Sequence, residues 1–169
     1  RISPYKGIEY LCKAMEIVRK EVPDATLTIA GSGKLYFDIK PYLTEGYIDL
    51  QNRFIQTHEI ATLLRQCAIC VCPYIDATQS GVIMTSFALS KPVIASNVGG
   101  LAEMIDEGKS GLLVEPKNPI VLANAIIKLL KNPNELKRME AYITESYYQG
   151  KNSWSSIADT YIDFYSRIL

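Results

Sequence analysis

Apolar positions along the chain alternate between short runs and longer helical stripes. The short runs predict strands at 25–30, 47–50, 68–72, 91–96 and 111–116. The stripes predict helices at 7–21, 34–44, 57–66, 81–90 and 118–131, with further helices starting near 133 and 153. Strands that alternate with helices are typical of a parallel sheet covered on both faces. We therefore expect an α/β fold, Rossmann-like, with a mostly parallel sheet and helices on both faces.

Several helix predictions name individual residues. The first helix should bury a face formed by Ile8, Leu11, Met15 and Val18. Thr57 is the expected N-cap of the third helix. The helix at 118–131 should turn inward Val121, Leu122, Ala125, Ile126 and Leu129. The last helix carries a stripe of Trp154, Ile157, Tyr161, Phe164 and Ile168. That stripe either packs on this domain or is partly exposed.

Composition narrows the class of protein. The 169 residues are 48% apolar and 21% charged, as in an ordinary globular domain. The 18 Lys and Arg residues equal the 18 Asp and Glu residues, so no net field favours nucleic acid as a partner. The apolar runs have the length of strands, too short to cross a bilayer. The chain starts at Arg1 without Met, and we expect a fragment whose N-terminal targeting cannot be judged.

The four cysteines are interpreted as core residues. Cys67 and Cys70 form a CxxC pair, which in other contexts binds zinc or carries out redox chemistry. Here Cys70 and Cys72 alternate within "AICVC", the pattern of a buried strand. With Cys12, they are expected to be free, reduced thiols, which favours a cytoplasmic protein.

The loops that leave the strand ends are the candidate site, because open parallel sheets bind ligands beyond the carboxyl ends of their strands. These loops are "RISPYKG", "GSGK", "NRFIQT", "PYIDATQSG" and "SNVGG". Arg1 and Lys6 lie in the first, and Ser80 and Gly81 begin a helix whose free N–H groups favour an anion. The combination suggests a phosphate or diphosphate.

Two other phosphate motifs fail. A Walker loop around "GSGK" would need glycine and a hydroxyl residue at the positions of Thr28 and Leu35, so a tight strand-to-helix turn stays an alternative. The chain also has no GxGxxG motif and no DxD pair. Since a metal that bridges a diphosphate usually needs clustered carboxylates, we expect no divalent cofactor.

Three stretches together resemble a known family. "RISPYKGIEYLCKA", "LTIAGSG" and "GVIMTSFALSKPVIASNVGGLAEMIDEGKSGLLVEPKNP" are similar to the best-marked motifs of family 4 retaining glycosyltransferases, which have the GT-B fold. The match covers nearly the whole chain and places it in the C-terminal half of that fold. The resemblance implies that residues 1–169 bind a nucleotide-diphosphate sugar, the donor. The first strand and the N-terminal acceptor domain would lie outside the chain, and that domain would supply any peripheral contact with the inner face of the membrane.

The resemblance also assigns roles to residues. Arg1 and Lys6 would be catalytic, holding the donor diphosphate and stabilising its charge as it leaves, in place of a metal. The backbone of Gly31 and Gly33, and the N–H groups of Ser80, Gly81 and Val82, would approach the diphosphate. Asp76, Thr78 or Gln79 would replace a sugar contact that the family makes with an acid, and Thr78 and Gln79 are the better placed by register. Arg53 and Phe54 would lie beside the nucleobase, with Thr85 near the ribose.

One departure from the family pattern concerns two acids. The family usually has two glutamates eight positions apart, one for the sugar and one for the ribose, and these positions are Ala77 and Thr85 here. The leading hypothesis is retaining, metal-independent transfer of a sugar to a glycan, lipid or small acceptor, with the isolated domain inactive. Polysaccharide biosynthesis is the pathway that the family suggests. The alternatives are a non-catalytic nucleotide-sugar binding module and a nucleotide-sugar epimerase of similar fold.

Overall fold

The computed structural model describes residues 1–150 and 152–168. Its strands are β1 (Leu27–Ala30), β2 (Ile48–Gln51), β3 (Cys70–Cys72), β4 (Val93–Ser96) and β5 (Gly111–Val114). Every strand pair in this part of the chain is parallel, as the sequence predicts. The strands form two sheets, with β1 beside β2 in one and the order β3-β4-β5 in the other.

The helices occupy the connections between the strands. They are α1 (Ile8–Glu21), α2 (Lys40–Leu43), α3 (Thr57–Gln66), α4 (Gly81–Phe87), α5 (Leu101–Met104), α6 (Pro119–Leu130), α7 (Pro133–Thr144) and α8 (Trp154–Ser166). A single 3-10 turn, Pro4–Lys6, precedes α1, and a π-helical turn, Glu145–Gln149, follows α7. The sequence pattern did not predict the π-helical turn.

Helices cover both faces of the three-stranded sheet. Neighbouring residues of a strand point to opposite faces, so each face presents apolar side chains for helices to cover. Ile94 and Leu112 face one core, which α1 and α6 close with Leu11, Met15, Val18, Leu122, Ile126 and Leu129. Val93 and Ala95 face the other core, which α3, α4, α5 and α7 close with Leu64, Ile83, Phe87, Leu101 and Ile143. The two-faced layering predicted from the sequence is confirmed.

The predicted helix at 34–44 is wrong over most of its length, since only Lys40–Leu43 is helical. The side chain of Asn52 holds the preceding loop: its Oδ1 accepts from Gly33 N at 3.1 Å, and its Nδ2 donates to Gly33 O at 3.0 Å. Pro41 sits in the first turn of α2, where its missing N–H costs nothing. The "GSG" segment is therefore followed by a loop, and the alternative of a direct strand-to-helix turn is wrong.

Three helix details also differ from expectation. Gln56, rather than Thr57, is the N-cap of α3, because Gln56 and Glu59 form a reciprocal capping box. Helix α4 ends at Phe87, and Ser90 adopts a left-handed φ of 57° that a helix to residue 90 could not contain. Val121 is 38% exposed, because α6 buries a stripe centred on Leu122, Ala123, Ile126 and Leu129.

The apolar stripe of helix α8 is exposed, which decides between the two alternatives given for it above. None of its residues Trp154–Ser166 is buried, and the Trp154 side chain is 85% exposed. In residues 1–150 and 152–168, no helix combines the length and apolarity needed to cross a membrane.

Candidate functional site

The opening segment of the chain lies between two of the predicted site loops. Ile2 N donates to Ser32 O at 2.8 Å, which joins the segment to the "GSG" loop after β1. Ile75 N donates to Tyr5 O at 2.7 Å, which joins it to the loop after β3. Residues 1–7 therefore connect the strand ends of the two sheets.

Backbone approaches backbone closely at this edge, and glycine is what allows it. A Cβ on Gly7 would lie 1.8 Å from Pro73 O, and one on Gly33 would lie 2.1 Å from Ile2 O. A Cβ on Gly99 would lie 2.1 Å from Ala77 O. Because real Cβ atoms do not come this near to backbone oxygens, these glycines bring the opening segment, "GSG" and "SNVGG" against their neighbours.

Lys6 is held by two aromatic rings. Its Nζ lies 3.7 Å from the centroid of the Tyr74 ring and 4.9 Å from that of Tyr5. The two rings meet edge to face, with centroids 6.1 Å apart. We call Tyr5 and Tyr74 the aromatic bracket. Rings at these distances attract an ammonium group without neutralising its charge.

The Tyr74 hydroxyl links the bracket to the start of α4. It lies 3.0 Å from the hydroxyl of Ser80, the N-cap residue of that helix. Both side chains are buried, and burial raises the pKa of the Tyr74 phenol, which therefore stays neutral. Gly81 and Val82 follow Ser80 in the exposed first turn of α4. The structure thus links Lys6 to Ser80 through the Tyr74 side chain, and Gly81 and Val82 follow Ser80 in the helix.

Arg1, Gly31 and Gly33 form a neighbouring group. Gly31 N donates to Gln51 O at 3.1 Å, and a Cβ on Gly31 would lie 3.2 Å from the Arg1 backbone N. The Arg1 residue itself is exposed. The opening segment, residues 1–7, connects this group to Lys6.

Arg53 and Phe54 lie on the loop after β2, beside the Asn52 that holds Gly33. The Arg53 guanidinium is already paired: its Nη2 is 2.6 Å from Glu59 Oε1, and its Nη1 is 3.0 Å from Glu59 Oε2. The hydrogen bond from Arg53 lowers the pKa of Glu59 to about 2. Phe54 is 71% exposed and leaves a free ring face at this loop. Arg53 therefore serves first to fix the loop and the start of α3.

The remaining predicted residues lie around the loop after β3. Thr78 and Gln79 are exposed there. Ala77 O accepts a hydrogen bond from Gly100 N at 3.3 Å, which ties this loop to "SNVGG". The Thr85 hydroxyl donates to Gly81 O at 2.7 Å, within its own helix. At the two positions where the family pattern has glutamates, the chain therefore has a methyl group and an internally bonded hydroxyl.

Three residues of this edge were not singled out from the sequence. Tyr74 follows Pro73 close to the end of β3, and nothing in its local sequence marks it as a site residue. Asn52 and Glu59 organise the loop after β2 through side-chain bonds whose partners are 19 and 6 residues away in sequence. Since Asn in a loop and Glu in the first turn of a helix are both common, the sequence contained no specific signal for either bond.

The edge is open rather than enclosed. A cavity of about 150 Å³ lies against it, lined by Ser3, Gly7, Tyr10, Lys34, Tyr36 and Ile75 among others. Pockets that bury a drug-sized ligand hold about 300–1,000 Å³, so a whole nucleotide sugar does not fit in this one. The 1–150 and 152–168 stretches contain no group of three or more His, Cys, Asp or Glu side chains that could hold a metal ion.

Comparisons of the sequence and of the structure with known proteins all find glycosyltransferases. The family model described as glycosyl transferases group 1 matches residues 1–132. An uncharacterised glycosyltransferase of Methanocaldococcus jannaschii is 34% identical over 138 residues, which is 80% of this chain and 37% of that protein. The structure of HepE from Anabaena in complex with UDP superposes with a TM-score of 0.76 at 22% identity, over 96% of this chain and 47% of that one.

A third match is to a single domain. The C-terminal domain of LpcC, a glycosyl transferase group 1 family protein of Francisella tularensis, superposes with a TM-score of 0.76 at 21% identity, over 88% of this chain and 82% of that one. The parallel sheets flanked by helices thus match GT-B glycosyltransferase structures. The chain spans less than half the length of the M. jannaschii protein and of HepE. Since the family model covers most of its residues, this chain belongs to the glycosyl transferases group 1 family.

Proposed function

We propose that this chain is the donor-binding C-terminal half of a family 4 retaining glycosyltransferase that uses a nucleotide-diphosphate sugar. The observation that carries the proposal is Lys6, held on Tyr74 beside Ser80 at the strand ends of a group 1 family chain. A first strand and an acceptor domain outside these residues would complete the fold. The intact enzyme would work in the cytoplasm, with any contact to the inner face of the membrane made through that second domain.

Lys6 and Arg1 supply the electrostatic part of the mechanism. As the bond from the sugar to the diphosphate breaks, negative charge builds up on the leaving phosphate. An ammonium group already in place stabilises that charge without having to reorganise. The close backbone approach at Gly31 and Gly33 holds the opening segment, which carries both cations, against the loop after β1. Two cations then do what a bound divalent metal does in other transferases, and the transfer is metal-independent.

The other predicted residues define the two ends of the donor. The exposed Phe54 ring stacks on the nucleobase, while Arg53 keeps the loop in place through Glu59. Thr78 and Gln79 contact the sugar, and Thr85 lies near the ribose. HepE was solved with UDP, so uridine diphosphate is the first nucleotide to test here.

The proposal has two parts, donor binding and sugar transfer, and each part is tested by its own experiment. Isothermal calorimetry of the 169-residue chain with UDP, GDP and ADP should detect one preferred diphosphate. Lys6→Ala should weaken it about 10- to 100-fold, the size of a hydrogen bond to a charged group. Lys20→Ala is the matched control, because Lys20 is an exposed lysine on α1, and it should bind as the parent does. Equal weakening by both variants would count against the site.

Transfer needs the longer protein that carries an acceptor domain. In that protein, the transferase reaction should proceed unchanged in excess EDTA, and NMR of the product should show the same anomeric configuration as the donor. The 169-residue chain alone should bind the donor without transferring the sugar. Inversion of the anomer, or loss of activity in EDTA, would contradict the retaining or the metal-independent part respectively.

A second candidate function is a non-catalytic nucleotide-sugar binding module. Ala77 and Thr85 favour it, since neither offers the carboxylate that the family pattern has at that position. Ala77→Glu with Thr85→Glu in the longer protein distinguishes the two functions. A gain of transfer from an inactive parent supports the module. An active parent whose rate does not rise on substitution supports the transferase.

A further inference from the structure

We propose that Tyr74 is a positioning residue for Lys6: its ring holds the ammonium group, and its hydroxyl holds Ser80, the N-cap residue of α4. The inference rests on the proposed function, because it assumes that Lys6 binds the diphosphate. It adds a residue that touches neither the phosphates nor the sugar and acts only through Lys6 and Ser80.

The Tyr74 side chain is fixed from several directions. It is 4% exposed and lies two residues after the end of β3. The next residue, Ile75, bonds to Tyr5 O, so the backbone at Tyr74 is tied to the opening segment. A buried tyrosine hydroxyl needs a polar partner, and Ser80 Oγ supplies it at 3.0 Å. The ring therefore stands in one orientation beneath the Lys6 ammonium, 3.7 Å away.

The choice of an aromatic partner matters for an anion site. A carboxylate in this place would pair with Lys6 and compete with a phosphate for it. A neutral ring attracts the ammonium through its π face and leaves the full positive charge available on the other side. The ring also restricts a side chain that is otherwise flexible, so less freedom is lost when a phosphate binds. The edge-to-face contact with Tyr5 completes the restriction.

A tyrosine that only supported the fold would fill the same space, so the test must distinguish packing from the positioning of Lys6. Comparing ligands that have a β-phosphate with ligands that lack one makes this distinction. If Tyr74 acts through Lys6, its loss should weaken nucleoside diphosphates and leave the matching monophosphates unchanged. If Tyr74 only supports the fold, both ligands should weaken together.

The experiment measures UDP, GDP and ADP against UMP, GMP and AMP by calorimetry on the 169-residue chain, and continues with the pair that binds best. Tyr74→Leu should reduce diphosphate affinity about tenfold, the size of a partly desolvated cation–π contact, with monophosphate affinity unchanged. Tyr74→Phe keeps the ring and should retain most of the preference for diphosphate. A Tyr74→Phe variant as weak as Tyr74→Leu would overturn the role of the ring.

A double-mutant cycle tests whether Tyr74 acts through Lys6. In a Lys6→Ala background, Tyr74→Leu should change diphosphate affinity by less than about twofold, because only the contact with Ser80 then remains to be lost. An undiminished tenfold effect in that background would overturn the proposal. Should Tyr74→Leu fail to fold, Tyr5→Leu removes the other wall of the bracket from a position that is 44% exposed, and should cause a smaller loss confined to the diphosphate.

The two proposals fail in different ways. A parent chain that binds no diphosphate more tightly than its monophosphate would overturn the proposed function, and this inference with it. A parent that prefers the diphosphate, together with a Tyr74→Leu variant that keeps the same preference, would overturn the role of Tyr74 alone.

Discussion

Gly7 joins the opening segment to α1 at the point where the candidate site meets the fold, and Gly7→Ala should be strongly destabilising. Two costs add at this position. Its φ is +65°, and a left-handed conformation costs a residue with a Cβ about 1–2 kcal/mol. The new Cβ would also lie 1.8 Å from Pro73 O, where ordinary contacts begin near 3.4 Å, so backbone must move. Overpacking of this kind costs about 1–3 kcal/mol.

The combined loss for Gly7→Ala is therefore about 2–5 kcal/mol in the free energy of unfolding. For a domain of this size, each kcal/mol lowers the melting temperature by about 2–4 °C, so we expect a fall of roughly 5 to 15 °C. The shift that relieves the overlap also moves Lys6 relative to Tyr74. Diphosphate binding should weaken at temperatures where the variant is still folded.

Two other glycines provide matched controls. Gly46 has a φ of +73°, and a Cβ added there would meet nothing within 4 Å, so Gly46→Ala has the conformational cost alone, about 1 kcal/mol. Gly81 begins α4 without a left-handed φ and with open space around it, so Gly81→Ala should be neutral or slightly stabilising. Urea and thermal unfolding by circular dichroism measure all three. A Gly7→Ala loss no larger than that of Gly46→Ala would refute the role given to the Pro73 contact.

Three further predictions concern the core, the pH response and the cysteines. Phe87→Ala empties a site that is fully buried and should cost about 3–5 kcal/mol in urea unfolding; a loss below about 1 kcal/mol would contradict the packing described. The lowered pKa of Glu59 means that its bond to Arg53 stabilises the fold above the ordinary carboxyl pKa of about 4.3 and that this contribution is lost as pH falls toward about 2. Glu59→Gln should therefore flatten the acid limb of a melting-temperature profile, and an unchanged limb would contradict this. Burial raises the pKa of Cys12 to about 12 and that of Cys67 to about 11, so both should react with iodoacetamide at about pH 8 far more slowly in the native chain than in urea. Equal rates would contradict the prediction.

The layered fold was predictable because its signals are repetitive. Each strand is a short apolar run, and α1 buries the periodic face formed by Leu11, Met15 and Val18. The predictions from sequence fail where a single tertiary hydrogen bond determines the local conformation. The spacing of apolar residues from 34 to 44 suits a helix, yet two hydrogen bonds between Asn52 and Gly33 fix the start of a loop there. Such a bond depends on two loops meeting, which no local pattern contains.

For the candidate site, too, local sequence patterns predict the loops but not the contacts between them. The strand-end rule predicts which loops share one edge of the sheet, and cations near a helix start suggest a phosphate. The rule does not say which side chains support the cation. Lys6 and Tyr74 are far apart in sequence, and both types are common on protein surfaces. Their contact becomes visible only when Gly7 and Pro73 are known to touch.

On the proposed function, the missing acids fit an edge that is specialised for the phosphate end of the donor. No Asp or Glu occurs between Asp76 and Glu103, a stretch that includes the end of the loop after β3, all of α4 and β4. A carboxylate at position 77 or 85 would orient hydroxyl groups, but it would also repel the diphosphate nearby. The chain instead keeps Lys6 on neutral rings and leaves Thr85 bonded within its helix. Affinity should therefore reside mainly in the nucleoside diphosphate, with the sugar adding little, and orientation of the sugar would fall to Thr78, Gln79 and groups supplied by the acceptor side.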